Sequence, residues 1–170
     1  RSGALVPITA GAALGPSYAR NDKPPLVVVV VGETARTDHF SLNGYARETN
    51  PELARAGVLS FRNVRSCGTD TRDSVPCMLS PLDKSAFERR GGERENLLDL
   101  LQSVGLAVLW LDNQSGCKDV CARVPTQTTA DMPAADAARL CSDGECLDDA
   151  LLVGIDDARD LALFLELIEV

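Results

Sequence analysis

The chain has 170 residues, carries a formal net charge of −8 and is 45% hydrophobic. This length and apolar content suit one globular domain, or part of one, that can bury a core. Lysine and arginine are scattered through the sequence, which argues against nucleic-acid binding. No stretch has the ~20 apolar residues of a membrane-spanning helix, and residues 1–25 lack the sections of a signal peptide. We expect the chain as given to be soluble.

A continuous β-branched run at residues 26–31 (LVVVVV) is the first clear element of the sequence. Such a run predicts a central parallel strand that is buried on both faces. Residues 1–25 before it are rich in Gly, Ala and Pro, which is typical of a linker.

Several further elements follow from apolar periodicity and from helix-start signals. Short helices are predicted at 51–56, 73–79, 95–104, 135–140 and 147–152. Strands are predicted at 58–64 (VLSFRNV) and 107–111 (AVLWL). Residues 161–170 are compatible with a strand or a helix. The mixed order of strands and helices predicts a three-layer α/β sandwich with a mostly parallel central sheet.

Polar side chains follow two of these strands. Glu33 comes directly after the valine run, and Thr71 lies in a polar cluster after the predicted strand at 58–64. Because ligands of open α/β sheets bind outside the carboxyl ends of parallel strands, we expect the two residues to converge on one site. The helix predicted at 73–79 would direct its free N–H groups and positive dipole end at an anion beside the Thr71 hydroxyl.

The six cysteines form three close groups along the sequence. An even number at short spacing predicts disulfides formed in an oxidising compartment. Spacing alone leaves fifteen connectivities open. Metal binding is the alternative, although these spacings do not match a structural zinc site. The residues involved are Cys67, Cys77, Cys117, Cys121, Cys141 and Cys146.

The stretch 27–79 resembles a known family. It contains, in order, GETAR at 32–36, NGY at 43–45 and CGT-x-T-x-x-SVPCM at 67–78. Together these motifs resemble the periplasmic catalytic domain of the lipid A phosphoethanolamine transferases, the family that includes the mobile colistin resistance enzymes. Weaker similarity continues through WLDNQSGCKDVC (110–121) to LLVGID (151–156).

This resemblance implies a fold of the alkaline phosphatase and sulfatase type. It implies that residues 26–170 are the N-terminal part of a periplasmic catalytic domain and that residues 1–25 are the linker from a membrane domain outside this sequence. The implied reaction transfers phosphoethanolamine from phosphatidylethanolamine to a phosphate of lipid A through a phospho-threonine, and it confers polymyxin resistance. The location implied is the periplasmic face of the bacterial inner membrane, and a monomer is expected.

The resemblance also implies roles for single residues. Thr71 matches the nucleophile, and Glu33 and Thr71 match zinc ligands. The family's other zinc ligands belong to an SDHGES-like motif that this sequence does not contain. The one histidine of this sequence is His39. Zinc takes three or four ligands, so Glu33 and Thr71 alone are too few. The local disulfide pairs Cys67–Cys77, Cys117–Cys121 and Cys141–Cys146 are favoured by the same resemblance.

Lys118 matches a position that lies near the substrate phosphate in the family. Gln114 replaces an Asn that is common at the matching family position and keeps an amide, and Asn113 is the adjacent fallback. An ammonium group at Lys118 would balance phosphate charge, and the two amides are weaker candidates for substrate hydrogen bonds. A solvated Lys118 is the simpler interpretation. His39 is interpreted as a residue packed in its loop or lying behind the site rather than as a catalytic one.

Structural interpretations also exist for the two leading candidates. Thr71 and Asp70 could simply cap the following helix, and Thr69 is the alternative hydroxyl. Glu33 could be a surface carboxylate paired with Arg36.

Two other functions compete with phosphoethanolamine transfer. Because the ligand set is incomplete, the chain could be a truncated, non-catalytic remnant or a binding module. A phosphoglycerol transferase or a sulfatase is the rival within the superfamily, although a sulfatase would need a Cys or Ser in a C-x-P-S-R context.

Overall fold

The computed structural model describes residues 4–19, 26–33, 35–89, 93–113, 116–143, 145–153 and 163–169, with backbone only for Ala19, Glu33 and 163–169. The strands of its main sheet are Val27–Glu33 (β1), Val108–Asp112 (β2), Thr126–Thr128 (β3) and Leu163–Glu169 (β6). These four described strands are parallel and lie in the spatial order β1, β6, β2, β3. The predicted parallel α/β sheet is therefore present, and the undecided C-terminal segment is a strand.

The last strand, β6, lies between β1 and β2. Val27 to Glu33 pair with Leu163 to Glu169 along their whole length. The prediction that β1 is central and buried on both faces is wrong for the described residues, because β1 lies at the edge of this sheet. Val28 and Val30 are 46% and 52% exposed, whereas Val31 is buried. The β-branched run therefore identified the strand correctly but not its place in the sheet.

The strand predicted at residues 58–64 is absent. This segment has irregular backbone and turns, and none of its residues is paired with a strand in the described part of the chain. Leu59 and Phe61 are 86% and 76% exposed. Alternating apolar residues form a strand only where a neighbouring strand satisfies the backbone N–H and C=O groups.

Six short α-helices accompany the sheet in the described part of the chain. They are Pro16–Ala19 (α1), Pro51–Arg55 (α2), Thr71–Met78 (α3), Lys84–Glu88 (α4), Leu97–Ser103 (α5) and Ala134–Leu140 (α6). The helix predicted at 147–152 is a 3₁₀ helix, Asp148–Leu152, and a hairpin of β4 (Cys141–Ser142) and β5 (Glu145–Cys146) precedes it.

One apolar cluster joins the sheet to helices α3 and α5. Trp110 on β2 and Leu98 on α5 have no exposed surface, and Val75 on α3 is 2% exposed. Val31 on β1 belongs to the same cluster. The cluster therefore packs both β1 and β2 against helices α3 and α5. Full burial of such side chains contributes roughly 1.5–3 kcal/mol each.

Helix α5 begins with a capping box. The Asn96 side chain accepts a hydrogen bond from the Leu98 N–H at 2.8 Å, and the Asp99 carboxylate accepts one from the Asn96 N–H at 2.7 Å. The Asn96 amide also donates to the Val120 carbonyl at 2.8 Å. The start of α5 is thereby tied to the segment that follows β2.

Asp99 also receives two hydrogen bonds from Arg123, from Nε and Nη2, each 2.6 Å long. Burial raises the pKa of Asp99, but the hydrogen bonds from Arg123 and from the Asn96 N–H outweigh this effect and hold the pKa below its usual value. The ionised carboxylate is therefore the form that stabilises the fold.

The N-terminal segment is held against the domain. Val6 forms a parallel bridge with Arg94, and the Glu95 carboxylate accepts hydrogen bonds from the backbone N–H groups of Ile8 and Thr9 at 2.8 and 3.2 Å. The hydrogen bond from Ile8 is the largest cause of a lowered pKa at Glu95. The beginning of the region interpreted as a linker is thus attached to the residues that precede α5.

Replacing Asp99 with Ala is expected to lower the free energy of unfolding by about 2 kcal/mol, because it removes half of the capping box and leaves Arg123 without its carboxylate. Urea denaturation followed by circular dichroism measures this change. Asp136→Ala is the matched control, since its pair with Arg139 is on the surface. The control should change stability by less than about 0.5 kcal/mol.

The same pair predicts a pH dependence. A carboxylate with a lowered folded-state pKa stabilises the fold fully above its unfolded-state pKa of about 4, and this contribution is lost as the pH falls through the folded-state value. The loss of stability below about pH 4 should therefore be smaller in Asp99→Asn than in the unaltered chain. An equally steep loss in both proteins would contradict this assignment.

Candidate functional site

The carboxyl ends of three parallel strands define one edge of the sheet. Glu33, at the end of β1, is in register with Glu169 of β6, and Asp112, at the end of β2, is in register with Leu167. Asn113 follows Asp112 directly. Leu167 also pairs with Val31, so Asp112 is level with Val31, and the Glu33 backbone lies two strand spacings to the side and two residues further along, about 12 Å from the end of β2. Both strand ends lie where ligands of open α/β sheets bind.

Thr71 is the first residue of helix α3. The N-cap is Asp70, whose carboxylate accepts a hydrogen bond from the Arg72 N–H at 2.7 Å. The capping interpretation therefore holds for Asp70. The Cys67–Cys77 disulfide connects the loop before the helix to the last turn of the helix, and buried Val75 packs the helix into the core. These restraints fix the position of the Thr71 backbone relative to the sheet.

The loop after β1 is organised by its own polar groups. Arg36 donates from Nε and Nη2 to the Asp38 carboxylate at 3.0 and 2.7 Å, and this hydrogen bonding is the main cause of a lowered pKa at Asp38. The guanidinium that was a possible partner for Glu33 is thus engaged within the loop. His39 is exposed, and its ring centroid is 4.9 Å from that of Tyr45. It contacts its loop, as expected, but is not buried.

Lys118 lies in a tight turn after β2. Lys118 and Asp119 have left-handed backbone conformations, with φ values of 51° and 69°. The Cys117–Cys121 disulfide closes this turn, and the Cys121 N–H points at the Cys117 sulfur at 3.2 Å. The backbone between these cysteines forms turns and not a regular helix. Non-glycine residues in this conformation cost energy and are held by their surroundings, which here are the disulfide and the buried Val120.

Asn113 has a structural partner. Its Nδ2 donates to the Cys146 carbonyl and to Asp148 Oδ1, both at 2.9 Å. This amide therefore ties the end of β2 to the region of the β4–β5 hairpin. Gln114, the other amide candidate, is outside the described residues.

The sequence interpretation overlooked Asp112. This carboxylate is only 7% exposed, and its Oδ2 lies 3.4 Å from the indole Nε1 of Trp110. A buried acid at the end of a strand that borders a candidate site is a reason to consider a functional role. Its place directly after the predicted strand at 107–111 was the signal available in the sequence.

All six cysteines are paired. The disulfides are Cys67–Cys77, Cys117–Cys121 and Cys141–Cys146, the local set that the resemblance favours. Cysteine metal ligation is therefore excluded in this state.

The described side chains do not make a complete metal site. Among them, no three His, Cys, Asp or Glu residues are close enough together to hold a metal ion. Two candidate ligands, Glu33 and Thr71, do not satisfy the four-coordinate preference of zinc.

None of the helices in the described ranges is long and apolar enough to cross a bilayer.

Comparisons with known proteins identify the relatives of this chain. The model of the Sulfatase family matches residues 25–161. Phosphoethanolamine transferase EptA of Salmonella typhimurium is 43% identical over 157 residues, covering 92% of this chain and 28% of that protein. Phosphatidylethanolamine transferase Mcr-1 of Escherichia coli is 47% identical over 140 residues, covering 79% of this chain and 26% of that protein.

Solved structures give the same answer for the fold. The soluble domain of lipooligosaccharide phosphoethanolamine transferase A from Neisseria meningitidis matches with a TM-score of 0.79 and 35% identity, over 97% of this chain and 49% of that one. The periplasmic domain of phosphoethanolamine transferase EptC from Campylobacter jejuni matches with a TM-score of 0.74 and 32% identity, over 96% and 48%. The predicted fold type is confirmed, and the chain spans about half of each solved domain.

Replacing Asn113 with Ala is expected to lower the free energy of unfolding by about 1–2 kcal/mol, because the Cys146 carbonyl and Asp148 lose a shared donor. Hydrogen exchange at residues 145–148 should become faster. Asp149→Ala, at an exposed neighbouring position, is the control and should leave both quantities unchanged. An unaltered stability in Asn113→Ala would show that these two hydrogen bonds contribute nothing.

Proposed function

The chain belongs to the sulfatase family, and on that premise we propose that it supplies the nucleophile and one metal ligand of a lipid A phosphoethanolamine transferase. The single observation that carries this proposal is the CGTDTR segment, which is closed by the Cys67–Cys77 disulfide and ends in a helix that begins at Thr71. Relatives named as a phosphoethanolamine transferase and as a phosphatidylethanolamine transferase are 43% and 47% identical to this chain. A sulfatase in the narrow sense is less well supported, because those names describe phosphoethanolamine transfer.

Thr71 is the proposed nucleophile. In the first step its Oγ forms a bond to the phosphorus of phosphatidylethanolamine, the bond from phosphorus to the diacylglycerol oxygen breaks, and diacylglycerol leaves with the hydroxyl proton. In the second step an oxygen of a lipid A phosphate forms a bond to the same phosphorus, the bond from phosphorus to Thr71 Oγ breaks, and Oγ takes up the proton of the attacking phosphate hydroxyl. The first-turn N–H groups of the eight-residue α3 favour a phosphate beside this hydroxyl.

Glu33 is the proposed metal ligand from this chain. Its position at the carboxyl end of β1 supports this role, because that edge also carries the buried Asp112. Zinc is the expected metal, and it would stabilise an alkoxide at neutral pH. Since the described residues do not complete a zinc site, no step of the reaction is assigned to the metal.

Lys118 is proposed to balance the charge of the substrate phosphate. Its left-handed turn, fixed by the Cys117–Cys121 disulfide, supports a defined position for this side chain. Gln114 is proposed as a substrate-binding amide. The Asn113 side-chain nitrogen already donates to the Cys146 carbonyl and to Asp148, which favours a supporting role for this residue. The side-chain oxygen of Asn113 is the atom proposed to contact substrate.

The whole activity is proposed only for a protein longer than this chain, which spans 28% of the Salmonella relative. The proposed location is the periplasmic face of the bacterial inner membrane, with phosphatidylethanolamine and lipid A as substrates and polymyxin resistance as the outcome. The incomplete ligand set favours a second candidate, namely that the chain by itself is not catalytic.

The assignment of the nucleophile is tested in a chimaera of the Salmonella relative in which the matching 157 residues come from this chain. Thr71→Ala should reduce phosphoethanolamine on lipid A at least a hundred-fold, measured by mass spectrometry of extracted lipid A. Thr69→Ala, two residues away in the same loop, is the matched control and should change the yield only a few-fold. Loss of transfer in Thr69→Ala with retention in Thr71→Ala would reverse the assignment.

The metal assignment predicts different zinc contents for this chain alone and for the chimaera with the Salmonella relative. The chain alone should bind clearly less than one zinc per molecule, because two ligands hold zinc weakly, whereas the chimaera should retain one or more. Glu33→Ala should lower the zinc content of the chimaera, and Glu48→Ala, an exposed acid outside the site, should not. Elemental analysis of dialysed protein measures the content. Tight stoichiometric zinc in the chain alone would refute the incomplete-site interpretation.

A further inference from the structure

An apolar segment next to the candidate site is left uncovered. We call residues 58–64 the bare segment. Leu59, Phe61 and Val64 within it are 86%, 76% and 71% exposed. Soluble domains rarely leave large apolar side chains exposed side by side, and such patches mark interaction surfaces.

The bare segment is anchored rather than loose. The Ser60 hydroxyl donates to Asn43 Oδ1 at 2.8 Å, and Arg62 Nη2 donates to the Leu42 carbonyl at 3.2 Å. A few residues later the Cys67–Cys77 disulfide attaches the chain to helix α3. The apolar side chains are therefore presented outward from a backbone that is held at several points.

The sequence and the structure of this segment disagree in an informative way. Its alternating apolar residues are typical of a half-buried strand, yet it has no strand partner among the described residues. Among the described strands β1 also pairs only with β6, on one side, and Val28 and Val30 are about half exposed. Exposed strand edges and strand-forming segments are surfaces onto which other polypeptide pairs.

The length of the solved relative indicates what covers the segment. Almost all of this chain, 97%, matches only 49% of the Neisseria domain, with a TM-score of 0.79. A comparable amount of polypeptide in that domain therefore lies outside the part that this chain matches. A second copy of this chain would supply no such complementary part, and a lipid surface would not satisfy the backbone groups of an irregular segment.

We propose that the bare segment is the docking surface for the half of a phosphoethanolamine transferase domain that this chain does not span, and that it forms a strand when that half binds. The proposal rests on family membership and on exposure, and it does not depend on the nucleophile or on zinc. Because the bare segment leads into the CGTDTR loop, docking there would bring the second half close to Thr71.

The experiment compares this chain alone with a joined protein, in which it is followed by the half of the Neisseria soluble domain that it does not match. Amide hydrogen exchange at residues 58–64 should be at least a hundred-fold slower in the joined protein. A double variant, Leu59→Lys with Phe61→Lys, should abolish this protection but leave the chain alone unaffected, because both side chains are exposed there. Leu147→Lys, at another exposed apolar position (62% exposed), is the matched control.

A second measurement covers the case in which the joined protein does not fold. The separately produced half is mixed with this chain, and capture should be lost at least ten-fold with the double variant but not with Leu147→Lys. Unchanged exchange at 58–64, or capture that is insensitive to Phe61, would overturn the proposal. Dimerisation of the chain through the bare segment, or its insertion into phosphatidylglycerol vesicles, would overturn it in favour of those occupants. None of these readouts requires lipid transfer or bound metal.

Discussion

The parallel pairing of β6 between β1 and β2 is the constraint on which the architecture depends. Seven residues of β1 pair with β6, and five residues of β2 pair with its other side. No direct pairing of β1 with β2 exists in the described sheet. The strand that is last in the sequence therefore has to arrive before the ends of β1 and β2 can share an edge. Such long-range pairing is entropically expensive and slow to form.

The buried cluster transmits this arrangement to the candidate site. Val31 lies two residues before Glu33 and Trp110 two residues before Asp112, so the residues that pack the core also set where the polar strand ends emerge. Val75 does the same for helix α3, whose first residue is Thr71. The Asp99–Arg123 pair and the capping box then fix α5 against the segment after β2. Core and site are consequently parts of one packed unit.

The elements that sequence reasoning predicted well are those decided by local patterns. The valine run, the AVLWL strand and the helix predicted at 95–104 follow from neighbours in sequence. The local disulfide pairs were favoured by the family resemblance and not by spacing. Two predictions were wrong: the central position of β1 and the strand at residues 58–64. Both depend on strand pairing with residues that are distant in the sequence. The candidate site was inferred from the GETAR and CGTDTR motifs. For Asp112 the sequence offered only its place after the predicted strand at 107–111, and burial in the structure drew attention to it.

The attachment of the N-terminal segment has a practical consequence. The valine strand at residue 27 is the first long element, so a shortened version of the protein would naturally be started just before it. Such trimming would discard the two amides that contact Glu95 and the backbone bridge at Val6. The Glu95 carboxylate, one residue before the N-cap of α5, would then lose the hydrogen bonds from the N–H groups of Ile8 and Thr9. Shortened versions are therefore better designed to keep the first nine residues.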